Sequence, residues 1–272
     1  MKDLYVSEVR KELAKYSNCA NYIITENDIE PLPEPVQKYF RYCGYTGQEK
    51  MNNAEIEWED VFFRISANKK WMSLKCYQFN SVPEPTRIVY MKSRIMGIFP
   101  FEGRDKYQDG HGNMLIKLLK VIQVVDAKSK EMDESALVTV LAESLLVPTY
   151  ALQHYIKWTA MDLKTAKAEI RYNNSKVSGL FYFNDNGEFT RFETDDRYYS
   201  EKGTEYKKLK WSVIADNYIE KNGIRFPSYC KAIWNTEEGD FEYFKGTITN
   251  IKFNQNSLHG LKLTRGKYSI NF

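Results

Sequence analysis

Glu143 is the acid with the most chemical promise in this sequence. It follows Leu137, Val138, Val140 and Leu141. On a helical wheel it lies opposite the stripe Leu137, Leu141 and Leu145, with Leu146 and Val147 close by. Two readings are open. Either Glu143 faces solvent, or the helix is covered on both sides and Glu143 projects into a cavity. A carboxylate buried in that way needs a cation or a donor, and Arg191 or Arg94 is the expected partner. His154 lies near Tyr155 and Trp158 and is either packed or capped, or it joins Glu143 and Arg191 in acid–base chemistry. His111 sits in the Gly-rich turn Asp109-Gly110-His111-Gly112 and reads as solvated, and His259 is far from both.

Other chemistry finds little support. Asp133-Glu134, Asp195-Asp196 and Glu237-Glu238 are adjacent pairs. Strand neighbours point to opposite faces, so these read as solvated ends rather than a glycosidase pair. The sequence contains no GxSxG, no phosphate-binding loop, no GxGxxG after a strand and no HExxH. Cys19, Cys43, Cys76 and Cys230 form no CxxC and lie at no zinc-ligand spacing from a histidine. They read as free thiols of a reducing compartment, with two disulfides as the alternative reading. No catalytic residue, cofactor or metal is assigned.

The 272 residues include 20 Tyr and 15 Phe. Aromatics favour strands and also line pockets for apolar ligands. Trp71, Tyr107, Leu141 and Trp158 therefore join Glu143, His154 and Arg191 as candidate ligand-binding residues. Lys+Arg of 39 against Asp+Glu of 36 leaves +3, too little for an electrostatic nucleic-acid footprint, so no nucleic-acid partner is expected. The amino terminus is charged throughout and lacks the apolar core of a signal peptide. The best apolar run is broken by Glu143 and ends at Pro148, short of a membrane span. The expectation is a soluble, cytoplasmic protein.

The elements that must position these residues follow from periodicity. Leu4, Val9, Leu13 and Tyr16 predict a helix over 3–16. Thr25-Glu26-Asn27-Asp28 resembles a capping box. Pro35 at the start and Gly44 at the end predict a second helix over 35–43. From 55 onward the period is two. Strands are expected through Val61–Ile65, Trp71–Phe79 (after a turn at Lys69-Lys70), and near 86–96, 101–108 and 113–125. A helical insert at 131–158, kinked at Pro148, interrupts them. Asn186-Gly187 and Asn222-Gly223 are type I′ hairpin signals, and Glu238-Gly239 is a weaker third. The first should pair Asp185 with Glu188, Tyr182 with Arg191 and Phe181 with Phe192. That register puts Phe181, Phe183 and Phe192 on the core face and stacks Arg191 on Tyr182. The second should pair Glu220 with Arg225. One domain is expected, with residues 1–50 a helical segment packed on 51–272.

Several segments resemble an uncharacterised bacterial family of unknown function associated with the lipoprotein-carrier fold of LolA and LolB. They are LPEPVQKYFRYCG (32–44), Trp71, FEGRDKYQDGHGNM (101–114), ESALVTVLAESLLVPTYAL (134–152), FYFNDNGEFTRFETDDRY (181–198), YIEKNGIRFPSYCKAIW (218–234) and FEYFKG (241–246). The resemblance implies an α+β fold: a strongly curved antiparallel sheet, an incomplete barrel, with helices plugging its concave side over an apolar cavity. It carries no activity and hence no catalytic residue. The expected function is non-catalytic binding of a lipid or other apolar small molecule, with the insert closing the cavity. The alternatives are an enzyme using Glu143, His154 and Arg191, and a cavity-free interaction module.

Overall fold

The computed structural model describes residues 1–16, 22–95, 98–200 and 205–258; Cys19 and His259 lie outside them. Helices α1 (Lys2–Lys15), α2 (Glu26–Ile29) and α3 (Glu34–Cys43) precede six strands. These are β1 (Asn53–Phe63), β2 (Met72–Ser81), β3 (Thr86–Ile95), β4 (Phe99–Gln108), β5 (His111–Leu118) and β6 (Ile122–Ala127). Helix α4 (Lys130–Ala142) and a 3-10 turn (Pro148–Leu152) follow. The chain then forms β7 (Ile156–Ala160), β8 (Thr165–Tyr172), β9 (Ser175–Phe183), β10 (Phe189–Thr194), β11 (Tyr198–Tyr199), β12 (Lys207–Lys208), β13 (Trp211–Lys221), β14 (Ile224–Thr236) and β15 (Gly239–Phe253). Thirteen strands form one antiparallel sheet in the order β6-β5-β4-β3-β2-β1-β15-β14-β13-β10-β9-β8-β7, open at β6 and β7, and β11 pairs with β12 separately.

Local chemistry sets the helix ends. Pro sits at the start of α3, and Gly44 caps its end at φ 75°. A capping box joins Thr25 and Asp28, with the Thr25 backbone N–H donating to Asp28 Oδ2 at 2.8 Å. The helices lie on both faces of the sheet. Tyr5, Val6 and Val9 of α1 pack on Phe79, Ile88 and Tyr90. The alternate residues of β2 and β3 look the other way, toward a larger core that contains α3, α4 and the 3-10 turn. Helix α4 touches β4 and β5 near one end of the strand order and β8 and β9 near the other. Asn173, in the β8–β9 turn, donates to the Asp109 carbonyl in the β4–β5 turn at 2.8 Å.

Three expectations need correction. The helical insert stops at Ala142, and Pro148 opens a 3-10 turn. Trp158 lies on β7, opposite Ala168, because the Ile156–Ala160 segment finds a strand partner in β8. The strand expected over 113–125 is two strands, because Leu119 and Lys120 both take positive φ (52° and 65°) and reverse the chain. A strand-like run of Leu, Ile and Val broken only by single polar residues hides such a turn when no glycine marks it.

The two Asn-Gly hairpins differ. Asn222 and Gly223 both have positive φ, 53° and 76°, and Glu220 pairs with Arg225 at 2.9 Å, as a type I′ turn requires. At the other hairpin only Gly187 is left-handed, at φ 93°. The Asn184 N–H donates to the Glu188 carbonyl at 3.0 Å, so the loop has three residues, a type I turn with a bulge. A second irregularity between Phe189 and Arg191 restores the expected pairs Tyr182–Arg191 and Phe181–Phe192. Phe181, Phe183 and Phe192 are all buried on one face. Arg191 does not stack on Tyr182; it forms an ion pair with Glu193.

Gly223 has open space around its α-carbon, so a larger side chain meets no clash and only the backbone resists. Gly223→Val is expected to cost about 1–3 kcal/mol, the strain of a β-branched residue at positive φ. A thermal melt is the check, and a melting temperature within a degree of the parent would refute the assignment.

Candidate functional site

A cavity of about 190 Å³ lies between α4 and the sheet. Its apolar wall includes Trp58, Val89, Met91, Leu146, Trp211 and Phe244. Strand alternation places the polar members, because every second residue of β2, β3 and β4 shares this face. Register brings Asn80 opposite Arg87 and Gln78 opposite Val89, and Val89 opposite Asp105. Arg87 and Asp105 are thus diagonal neighbours, within reach of a long side chain.

Helix α4 supplies the remaining acid. Glu143 is its C-cap residue. A carboxylate is disfavoured there, since the helix end already carries partial negative charge. Arg87 offsets this: its Nε donates to both Glu143 carboxylate oxygens at 2.9 Å, and its Nη1 donates to Asp105 Oδ2 at 2.7 Å. Gln78 Nε2 donates to Glu143 Oε2 at 2.7 Å, and Trp58 Nε1 donates to Gln78 Oε1 at 3.0 Å. The Arg87 and Glu143 side chains are each 13% exposed. Burial alone would lower the Arg87 pKa; the Glu143 and Asp105 charges outweigh it and hold it above its ordinary value.

Arg197 borders the same cavity. Its guanidinium lies 4.3 Å from the centre of the Trp211 ring, and its Nη1 donates to the Ser135 carbonyl at 2.9 Å and to Thr139 Oγ1. Its Nε is buried without a hydrogen-bond acceptor. Thr139 and Glu143 are four residues apart and share one face of the last helical turn. Arg197 and the Glu143 carboxylate thus border the same cavity. The Cys76 and Cys230 thiols also line it. Burial pushes both up to about 12, so neither is a thiolate at neutral pH. Among the described residues no three His, Cys, Asp or Glu side chains converge as metal ligands.

Of the seven candidate residues, Glu143 alone lines this cavity. Leu141 is fully buried with Leu137 and Leu145 in the core; the cavity instead receives Thr139, Ala142 and Leu146. Tyr107 is buried, edge-on to Tyr172. Trp158 is half-buried, donating from Nε1 to the Ala151 carbonyl at 3.0 Å and packing 5.0 Å from Phe181. Trp71 borders a separate groove, between Arg64 and Lys245, each 4.6 Å from its ring. His154 is exposed against Tyr155. Arg191 points away from the Phe192 face, toward Glu193. Glu143, His154 and Arg191 therefore do not share a site, and the cation paired with Glu143 is Arg87, not Arg191 or Arg94. Two acids expected to be solvated have structural partners: Asp133 Oδ1 accepts from the Gly112 N–H at 2.7 Å, and Asp196 Oδ2 from the Ser178 N–H at 2.9 Å.

Arg87, Gln78, Asn80 and Asp105 escaped the sequence reading. A signal was present, since Cys76-Gln78-Asn80 alternates with Tyr77-Phe79. Both faces of β2 are covered, so alternation alone did not reveal which face held the polar set.

Among solved structures, a LolA superfamily protein from Nitrosomonas europaea aligns with 81% of this chain and 94% of its own, at 9% identity and a TM-score of 0.45. No curated protein sequence matches the chain. Among the described residues no helix is long and apolar enough to cross a membrane. The sequence profile of one family matches residues 22–246, and the chain belongs to that family of unknown function, DUF6544.

Proposed function

We propose that the protein binds, without transforming it, a small apolar molecule carrying one neutral polar group. The observation behind this is the cavity itself, apolar on its walls and charged at one end. Its volume of about 190 Å³ exceeds the roughly 150 Å³ that accommodates benzene in a dry engineered cavity. The site thus suits a short chain or single ring rather than a long acyl chain. A hydroxyl fits its polar end best, donating to the Glu143 carboxylate. An extra buried charge would need its own partner. On this reading the sheet wraps α4 as an incomplete barrel, and residues 24–251 share one core, a single folding unit. Contacts of α4 with strands near both ends of the sheet support that shape.

The test uses 1-octanol as the probe, titrated by NMR, beside native mass spectrometry of protein purified from cells. Parent protein should bind 1-octanol more tightly than octanoate. Ala232, on the cavity wall, fills the space when replaced by phenylalanine. Ala232→Phe is expected to weaken octanol at least about tenfold, roughly 1.4 kcal/mol, while the protein stays folded by circular dichroism. A parent that binds no octanol and carries no co-purified ligand would sink the proposal.

A further inference from the structure

Three described segments stand side by side at one end of the sheet: the β1–β2 loop, Ile98 with the start of β4, and the β5–β6 turn. They are neighbours because β1 to β6 form a meander, in which alternate connections return to the same end. Large apolar side chains are exposed along them: Ile65 at 71%, Ile98 at 71%, Phe99 at 48%, Val121 at 76% and Ile122 at 52%. A single exposed apolar residue is ordinary, but this many on adjacent tips form a patch.

Charge supplies the second observation. The groove beside the tips, about 1520 Å³, is lined by eight lysines and arginines against two acids, Asp3 and Glu102. Lys69, Lys70, Arg94 and Lys120 are exposed and form no ion pair with a described carboxylate. Elsewhere Lys15, Lys164, Lys176 and Lys252 reach carboxylates while the exposed Lys11, Lys157 and Lys167 do not, so what sets this groove apart is the clustering of its cations beside apolar tips. The patch therefore combines apolar tips with uncompensated positive charge. An anionic bilayer complements both, since its headgroups attract juxtaposed lysines and its acyl boundary accepts apolar side chains.

We propose that this end of the sheet docks on an anionic lipid bilayer. Ile98, Val121 and Ile122 enter the headgroup boundary, and Lys69, Lys70 and Lys120 meet the lipid charges. None of these docking residues lines the cavity beneath α4, so neither proposal depends on the other.

Vesicle flotation tests it, using phosphatidylcholine vesicles with and without phosphatidylglycerol. Parent protein should float with the anionic vesicles only, and the bound fraction should fall as salt rises toward about 0.5 M. Each lysine replaced by glutamine at 69, 70 and 120 should weaken association about fivefold, the three together roughly a hundredfold. Ile98→Asp with Val121→Asp should abolish flotation without lowering the melting temperature, because both side chains are exposed. Equal binding to both vesicle types, no binding to either, or binding unchanged by these variants would overturn the proposal. So would dimerisation in sedimentation that Val121→Asp abolishes without vesicle binding, which would assign the patch to a second copy of the chain.

Discussion

Replacing Arg87 with methionine is expected to cost about 3–5 kcal/mol, the penalty for leaving buried charges without their partner. For a chain of this size that lowers the melting temperature by roughly 10 °C. Two acids lose their cation at once. Glu143 suffers more, because it sits at the negative end of α4 and retains only the amides of Gln78 and Asn80 as donors. Adding Glu143→Gln should restore part of the loss, since the second change removes the uncompensated charge. That recovery separates an electrostatic role from a packing one, as methionine keeps most of the arginine stem's bulk. A single variant melting within two degrees of the parent, or a double variant merely additive, would show that the trio carries little stability.

Gly112→Val is expected to cost about 3 kcal/mol, at the upper end of ordinary overpacking. A side-chain carbon at Gly112 would come 2.2 Å from the Met132 carbonyl oxygen and 2.9 Å from Ala136 Cβ. Helix α4 lies directly on this glycine, and the Gly112 N–H donates to Asp133 in its first turn. Relief requires lifting α4 away from β5, and that movement carries Glu143 with it. Urea unfolding measures the cost through the midpoint, and octanol titration should show weaker binding by the protein that remains folded. An unchanged midpoint for the milder Gly112→Ala would mean that the helix does not rest on this strand.

Gly112 also shows where the sequence was legible and where it was not. Asp109-Gly110-His111-Gly112 reads as one Gly-rich turn. In the structure only Asp109 and Gly110 turn the chain, at φ 54° and 84°. Gly112 is in β5, where the absence of a side chain admits a helix. Local signals such as the Thr25 capping box, Pro35, Gly44 and Asn222-Gly223 were legible because each acts on its own backbone. The helix-to-strand change at Ile156 was not, because β8 and not local propensity decides it. Glu143 stood out because a lone acid interrupts an apolar run. Its partner did not, because Arg87 lies 56 residues away in sequence and is brought there by strand register.

The pairing of β1 with β15 joins Ala54 to Phe253 and Trp58 to Ile248, and Asn254 reaches back to the Lys50 carbonyl across 204 residues. These strands are neighbours in the middle of the sheet, yet β15 is made long after β1, since the pairing spans Ala54 to Phe253. Each flanking meander can zip up from local turns as it emerges from the ribosome, whereas the central seam must wait. Until then β1 carries an open row of N–H and C=O groups, the kind of edge that invites pairing with the wrong chain. Its sequence guards that interval: Glu55, Glu57 and Glu59 recur at every second position, and like charges discourage association between two nascent copies. When β15 arrives, Lys252 meets Glu57 at 2.6 Å, so the charge that discourages a wrong partner is matched by the right one.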